Sequence, residues 1–313
     1  MKRPRVSIIV PVKDGEADLE RLLGTVADLS YPRSRLEVVV CDNGSSDGTV
    51  EVARRFGSRV LELPGETVAG LRNAGARAAV GEVLAFVDAD CTVASWWVGA
   101  AVFHLVRTGV VAAGCYPFAP EGGTWVQRLW NLKERVKPEV HEAAWLPSMN
   151  LVVDREAFEA VGGFDATLGT CEDVDLCYRL RDRGGRIVWD ERIRVVHHGE
   201  PPTLAVLFRK ERWHGSSNLR GLVRHGLRRE ELTSLVLPAA VLGAWTVPFC
   251  LVPVAPWAVP PLVALPPALA VAGAVRTAGR ARKLRLVAPL SAIYLVYLAA
   301  RAAALVDEVR GER

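Results

Sequence analysis

Val83-Leu84-Ala85-Phe86-Val87-Asp88-Ala89-Asp90 is an apolar run that ends in two carboxylates. A short continuous apolar run predicts a strand buried on both faces, as in a parallel sheet. Outward from it, Gly81 punctuates and Thr67–Val80 carries helix spacing. Arg59–Leu63 reads as a strand, Thr49–Phe56 as a helix and Leu36–Val40 as a strand. Glu16–Leu29 sets Leu19, Leu22, Leu23 and Val26 on one helix face. Val6–Val10 is another buried run, stopped by Pro11. Strict alternation predicts right-handed crossovers and a parallel α/β sheet with helices on both faces. Ligands in such sheets bind beyond the carboxyl ends of the strands, where Pro11, Asp42 and Asp88 stand.

The following stretch is less regular. Strands are expected at Val110–Tyr116, Asn150–Val153, Ile187–Trp189 and Arg194–Val196. Helices are expected at Trp125–Arg135, Arg155–Val161 and Val174–Arg183, the last two stopped by Gly pairs.

Charge and hydropathy divide the 313 residues unevenly. From Leu232 onward there are eight basic and three acidic residues, leaving 31 and 32 before it. A nearly neutral first part argues against nucleic-acid binding. Leu232–Val275 holds no charged residue, enough for a transmembrane hairpin with its turn near Val254–Pro260. Leu286–Val306 is a third candidate, interrupted only by Arg301, which is expected to snorkel. The basic loop Arg276–Arg285 and the Arg224–Arg229 cluster point to the cytoplasmic face by the positive-inside rule. Thr203–Glu231 carries seven basic residues behind an apolar Leu204, Leu207 and Phe208 stripe, a pattern of interfacial helices. No signal-peptide-length apolar segment follows Met1–Arg5, so the first part is expected in the cytoplasm. Six scattered cysteines without C-x-x-C spacing suit a reducing compartment and buried thiols.

Three acidic and imidazole clusters carry the chemistry. Asp88-Ala89-Asp90 can set one carboxylate on a nucleotide and the other on Mg²⁺ or Mn²⁺. Glu172-Asp173 and Asp175 open a helix, where capping also favours acids. One acid cluster for a metal and one for base work is the functional reading. His197 or His198 could complete a carboxylate-held metal site.

The chain resembles family 2 glycosyltransferases over about residues 5 to 215. The resemblance is carried by Val6-Ser7-Ile8-Ile9-Val10-Pro11, Cys41-Asp42-Asn43-Gly44-Ser45-Ser46-Asp47-Gly48-Thr49 and Arg72-Asn73-Ala74-Gly75. Asp88-Ala89-Asp90, Gly162-Gly163-Phe164-Asp165 and Cys171-Glu172-Asp173-Val174-Asp175-Leu176 complete it. The resemblance implies a GT-A fold, a Rossmann-like mostly parallel sheet, over 1–202; charge and hydropathy give a basic interfacial segment over 203–231, transmembrane helices over 232–306 and a tail over 307–313. The resemblance also implies inverting transfer from a UDP- or GDP-sugar. Pro11, Val12, Glu16 and Asp42 would hold the nucleoside, with Arg72, Asn73, Asp88 and Ala89 also at the donor. Asp90 and His197 would hold the metal, and Asp173 would be the base. Lys13-Asp14 stands where the family has an aromatic residue and Asn. Arg209-Lys210-Glu211-Arg212-Trp213 resembles the Gln-x-x-Arg-Trp motif of membrane-bound members, with Arg209 replacing Gln. Arg212 and Trp213, with Glu172, would serve the diphosphate and acceptor.

The expected activity is transfer at the cytoplasmic membrane face to a lipid acceptor, a polyprenyl phosphate or a glycolipid precursor. A polysaccharide synthase is the alternative enzyme; few spans and the missing Gln argue against it. A nucleotidyltransferase fits the Glu172-Asp173 cluster poorly, and no G-x-G-x-x-G supports a dinucleotide-binding protein. A membrane-anchored binding protein with a degenerate site predicts lost acids, yet Asp42, Asp88, Asp90 and Asp173 are present. An Asp beside a helix N-terminus is expected to stay ionised at neutral pH.

Overall fold

The computed structural model describes residues 3–136, 138–217 and 232–310. They form two units, one of residues up to 120 together with 138–199, the other of 121–137 and residues from 200 onward. The segment 121–137 falls inside the 1–202 division drawn from sequence and groups with the second unit.

The first unit is built on an eight-stranded sheet among the described residues, in the order β3-β2-β1-β4-β8-β6-β9-β7. The strands are β1 (Val6–Val12), β2 (Leu36–Asp42), β3 (Arg59–Glu62), β4 (Val83–Val87), β6 (Val110–Gly114), β7 (Val140–Glu142), β8 (Asn150–Asp154) and β9 (Arg186–Asp190). β1 runs parallel to β2 and β4, and β2 to β3, as the alternation predicts. β8 enters antiparallel between β4 and β6. β6 and β9 pair in parallel, and β7 closes the edge antiparallel. All seven residues of β1 are buried, because helices cover both faces. Ile8, Val10 and Val12 join one core cluster with Leu19, Leu22 and Trp97, whereas Ile9 joins the other with Phe86, Leu151 and Leu176. Alternate side chains of one strand thereby feed two cores.

The helices of this unit are α1 (Glu16–Ala27), α2 (Thr49–Arg55), α3 (Val68–Ala78), α4 (Trp97–Leu105), α6 (Arg155–Ala160) and α7 (Glu172–Asp182). Thr67 caps α3 by accepting from Gly70 N–H. Gly75 lets α3 close on the sheet, since a Cβ there would lie 2.5 Å from Ile9 and 2.8 Å from Cys41. β5 (Cys91–Val93) pairs antiparallel with β10 (Val195–His197) in a separate two-stranded ribbon. The sequence reading found neither β5, α4 nor β7. β5 and β7 are three residues long and carry no usable period. α4 is apolar on most sides, so it shows no stripe.

The second unit contains α5 (Trp125–Leu132), α8 (Leu204–His214), α9 (Leu232–Leu251), α10 (Val259–Arg280) and α11 (Val287–Arg310). Thr124 and Gln127 form a capping box at α5, which ends in a 3₁₀ turn at Lys133–Val136. α10 runs on through Arg280 into the basic stretch read as loop, and α11 continues to Arg310. Among the described residues, two segments are long and apolar enough to cross a membrane, Val259–Arg280 and Leu284–Arg310, with mean hydropathies of 1.4 and 1.6. The apolar stretch of α9, Val236–Pro248, is shorter. Arg301 does not snorkel. Its guanidinium donates to buried Glu211 on α8 at 2.9 and 3.1 Å. Burial opposes the Glu211 charge, but Arg301 and His214 outweigh it and hold its pKa well below the usual range. The part of the basic segment at 218–231 lies outside the described residues, as does the tail beyond 310.

Candidate active site

A cleft of about 390 Å³ opens at the carboxyl ends of β1, β2 and β4. Pro11, Val12, Lys13, Asp14 and Gly15 line it from the end of β1, and Asn43 from the end of β2. Val68 and Leu71 of α3 form an apolar wall; Asp18, Asp88, Ala89 and Asp90 supply carboxylates and the remaining rim. The cleft lies where an α/β sheet offers its strand ends to ligands.

Two loops are zipped together beneath it. Asp14, with φ 48°, accepts from Ser46 N–H at 2.7 Å, and its own N–H donates to Ser45 Oγ at 2.8 Å. Gly15 N–H donates to Thr49 Oγ1 at 3.0 Å, and Glu16 N–H to Asp47 at 3.1 Å. Asp42, 2% exposed, accepts from Gly44 and Ser45 N–H at 2.9 and 3.0 Å. Glu16 accepts from Gly48 N–H at 3.3 Å. Asp42 and Glu16 thus shape the loops, and neither lines the cleft. Asn73 is a clasp of the same kind. Its amide donates to Phe164 C=O at 2.7 Å and accepts from Phe164 N–H at 2.9 Å. Gly163, at φ 72°, is required beside it, because a Cβ would come 2.6 Å from Asn73 Oδ1.

Arg72 links the cleft to the second acid cluster. It is 2% exposed, and its guanidinium donates to Asp88 at 2.7 Å and Glu172 at 2.8 Å. Burial opposes its charge, but Asp88 and Glu172 more than offset this and raise its pKa. Its Nε is buried with no partner. Asp173 stands next to Glu172 in the first turn of α7. It accepts from Ser148 N–H at 3.1 Å and from Val174 N–H at 2.8 Å. Protein surrounds most of its carboxyl while part of the residue stays open to solvent. Burial first, and the Glu172 charge second, push its pKa up to about 7. This corrects the expectation of a fully ionised carboxylate: desolvation and a like charge exceed what the helix N-terminus and Arg72 return.

The β5–β10 ribbon sets His197 opposite Cys91, one residue past Asp90. His197 Nε2 lies 3.0 Å from Asp90 Oδ2. His198 turns to Thr92 Oγ1 at 3.3 Å. Gly199 leaves the space beside the pair clear; a Cβ there would sit 2.1 Å from Asp90 Oδ2 and 2.9 Å from His197 Nε2. One carboxylate and one imidazole on a side-chain-free turn suit a divalent cation that takes its other ligands from a diphosphate and water. Among the described residues no set of three or more His, Cys, Asp or Glu converges on a metal position.

Pro11, Val12, Asp88, Ala89 and Asp90 therefore meet at the cleft. Arg72, Glu172 and Asp173 connect to it through Asp88, and His197 through Asp90. Arg212 and Trp213 belong to α8 in the second unit, where Arg212 donates to Asp307 at 2.5 and 2.7 Å and Trp213 is exposed. Sequence reasoning missed Asp18, Val68, Leu71, Ser148 and Gly199. The glycine directly after a histidine pair was the one visible signal among them.

The profile described as Glycosyl transferase family 2 matches residues 7–161. Glycosyltransferase AglE of Haloferax volcanii is 31% identical over 207 residues, covering 63% of this chain and 68% of that protein. The pre-mycofactocin glycosyltransferase of Mycobacterium tuberculosis is 28% identical over 253 residues, and the chain spans 52% of its length. Among solved structures, mannosyltransferase PcManGT from Pyrobaculum calidifontis, in complex with GDP-Man and Mn²⁺, shares the fold with a TM-score of 0.68. It is 23% identical and is matched over 100% of this chain and 89% of its own. GalNAc-T7, solved with UDP, GalNAc and Mn²⁺, gives a TM-score of 0.52 at 20% identity, over 68% of this chain and 50% of its own.

Proposed function

Because the chain belongs to glycosyl transferase family 2 and is a transferase, we propose that it transfers a sugar, with inversion, from a nucleotide-diphosphate sugar to a lipid at the cytoplasmic membrane face. The observation that carries the reading is the buried line Asp88–Arg72–Glu172, which ties the donor cleft to Asp173. In this reading the nucleoside rests on Pro11 and Val12 against Val68 and Leu71. Asp88 contacts the donor. Asp173 removes the proton of the acceptor hydroxyl as its oxygen attacks the anomeric carbon and the bond to the nucleoside diphosphate breaks. A base with a pKa near the operating pH combines ionisation with proton affinity. Arg72 holds a fixed positive charge between the two acid clusters, in a site with little water to screen it. Asp90 and His197 would hold Mg²⁺ or Mn²⁺, which supplies positive charge to the departing diphosphate. Glu16, Asp42 and Asn73 act by holding the loops. Arg212 and Trp213 belong to the second unit, whose apolar helices support membrane attachment and a lipid acceptor.

Full-length protein in detergent, given Mn²⁺ and a panel of UDP-, GDP- and dTDP-sugars, tests the reading. Metal-dependent release of one nucleoside diphosphate, stimulated by a total lipid extract, is expected. Folded protein that releases none of them, with or without lipid, overturns it.

Two substitutions separate the metal pair from its surroundings. His197→Ala is expected to raise the Mn²⁺ concentration for half-maximal activity at least about tenfold, whereas His198→Ala leaves it unchanged. Equal effects would contradict the assignment of His197. Gly199→Ala pushes the Asp90 carboxylate aside, and activity at limiting Mn²⁺ is expected to fall roughly 10- to 100-fold while circular dichroism stays unchanged. Activity equal to the parent at every Mn²⁺ concentration would show that the cradle is not used.

A further inference from the structure

We propose that the second unit lies on a single anionic leaflet, and that α11 is an internal helix of that unit rather than a third span; this rests on the membrane reading above. α10 and α11 run antiparallel. Thr277 meets Tyr294 at 2.7 Å, Gly273 faces the same ring, and Ala270 packs with Leu298 and Ala302. Moving toward Arg310, α11 therefore approaches the α9–α10 turn. On its other side α11 carries α8, through Glu211–Arg301 and Arg212–Asp307, with Gly215 close to Ala304. α5 adds Trp130 against Tyr297, with the Lys133 amine 3.3 Å above the Trp130 ring. An upright bundle with the turn at the far face would carry α8 and its charges through the hydrocarbon. Charged groups at that depth are costly. A bundle inclined within one leaflet, with the α9–α10 turn dipping below the headgroups, leaves α8 and α5 at the water side.

The lipid side is then the outward face of α10. Val263, Pro267, Val271 and Val275 are exposed along it at helical spacing. At one end stand Arg276, Arg280, Arg282, Lys283 and Arg285, all exposed, at the level of lipid headgroups. At the other, the turn exposes Val254 (75%) and Trp257 (80%). That turn suits hydrocarbon. Val254 and Ala255 N–H donate to Leu251 C=O and Ala258 N–H to Ala255 C=O, while Pro253 and Pro256 have no N–H. Few donors remain to be satisfied by water. The occupant of this face is a cytoplasmic leaflet of anionic phospholipid.

The test uses full-length protein in bacterial cells, with a C-terminal phosphatase or fluorescent-protein reporter and an impermeant maleimide at Trp257→Cys. The expected result is a membrane-bound protein with its C-terminus in the cytoplasm. Trp257→Cys is then unlabelled in intact cells and labelled after detergent. Phosphatase active outside the cell, or external labelling at 257, overturns the proposal while leaving the membrane reading intact. Recovery in the soluble fraction, with no binding to phosphatidylglycerol vesicles, overturns both. With purified protein, the triple variant Arg280→Glu, Arg282→Glu, Lys283→Glu is expected to bind those vesicles at least about tenfold more weakly. Undiminished binding contradicts the headgroup assignment.

Discussion

Asp173→Asn will lower transfer roughly 10²- to 10⁴-fold, the usual span of general-base catalysis, and leave donor affinity unchanged. The amide keeps the size of the side chain but has no basic oxygen to take the acceptor proton. The parent enzyme should also show an acid limb. As the proposed base Asp173 would act only when ionised, and burial and Glu172 push its pKa up to about 7. Its kcat/KM is then expected to rise with pH through about 7 and level off above it, and the residual rate of the variant to lose that limb. The sign for stability is opposite. The folded pKa lies above the ordinary 3.8, so the stability that Asp173 contributes is present in acid and is lost as pH rises through about 7. Wild-type turnover by Asp173→Asn, or the same acid limb in both proteins, would remove the base assignment.

Arg72→Met carries the largest expected cost in stability. Arg72 sits between Asp88 and Glu172 with almost no solvent. Removing it leaves two carboxylates facing an apolar chain, and breaking such a buried arrangement costs about 3–5 kcal/mol. The loss should appear as a lower urea midpoint. The same change removes a cation that lowers the Asp173 pKa, so the acid limb should move to higher pH. Arg72→Lys keeps the charge on a single nitrogen that cannot reproduce the two-pronged contact. It should therefore retain more stability than the Met variant and keep the limb closer to its parental pH. An unchanged limb in the Met variant would show that Arg72 holds the fold without tuning the base.

The first ninety residues were legible because β1 and β4 are buried apolar runs and the elements between them alternate strand with helix. Asp88-Ala89-Asp90 could be placed at a strand end for the same reason. The pairing of His197 with Asp90 came from the family resemblance and not from periodicity or spacing. It depends on a three-residue ribbon whose partners are about a hundred positions apart. Arg72 gave no local sign of bridging Asp88 to Glu172, since one partner lies 100 residues away. The raised pKa of Asp173 was hidden because helix-terminus electrostatics are local in sequence, whereas desolvation comes from the fold. Hydropathy exposed the apolar C-terminal helices, yet the partner of Arg301 appears only when α8 is laid beside α11.

In the proposed reading Asp173 is the one base and the donor lies at the opposite end of the Arg72 line, so transfer by a single displacement is expected. The anomeric configuration of the first-turnover product, read by proton nuclear magnetic resonance, tests this most directly. A product linkage opposite in configuration to the donor is predicted. Retention of the donor configuration would contradict the account and require a second nucleophile in the site.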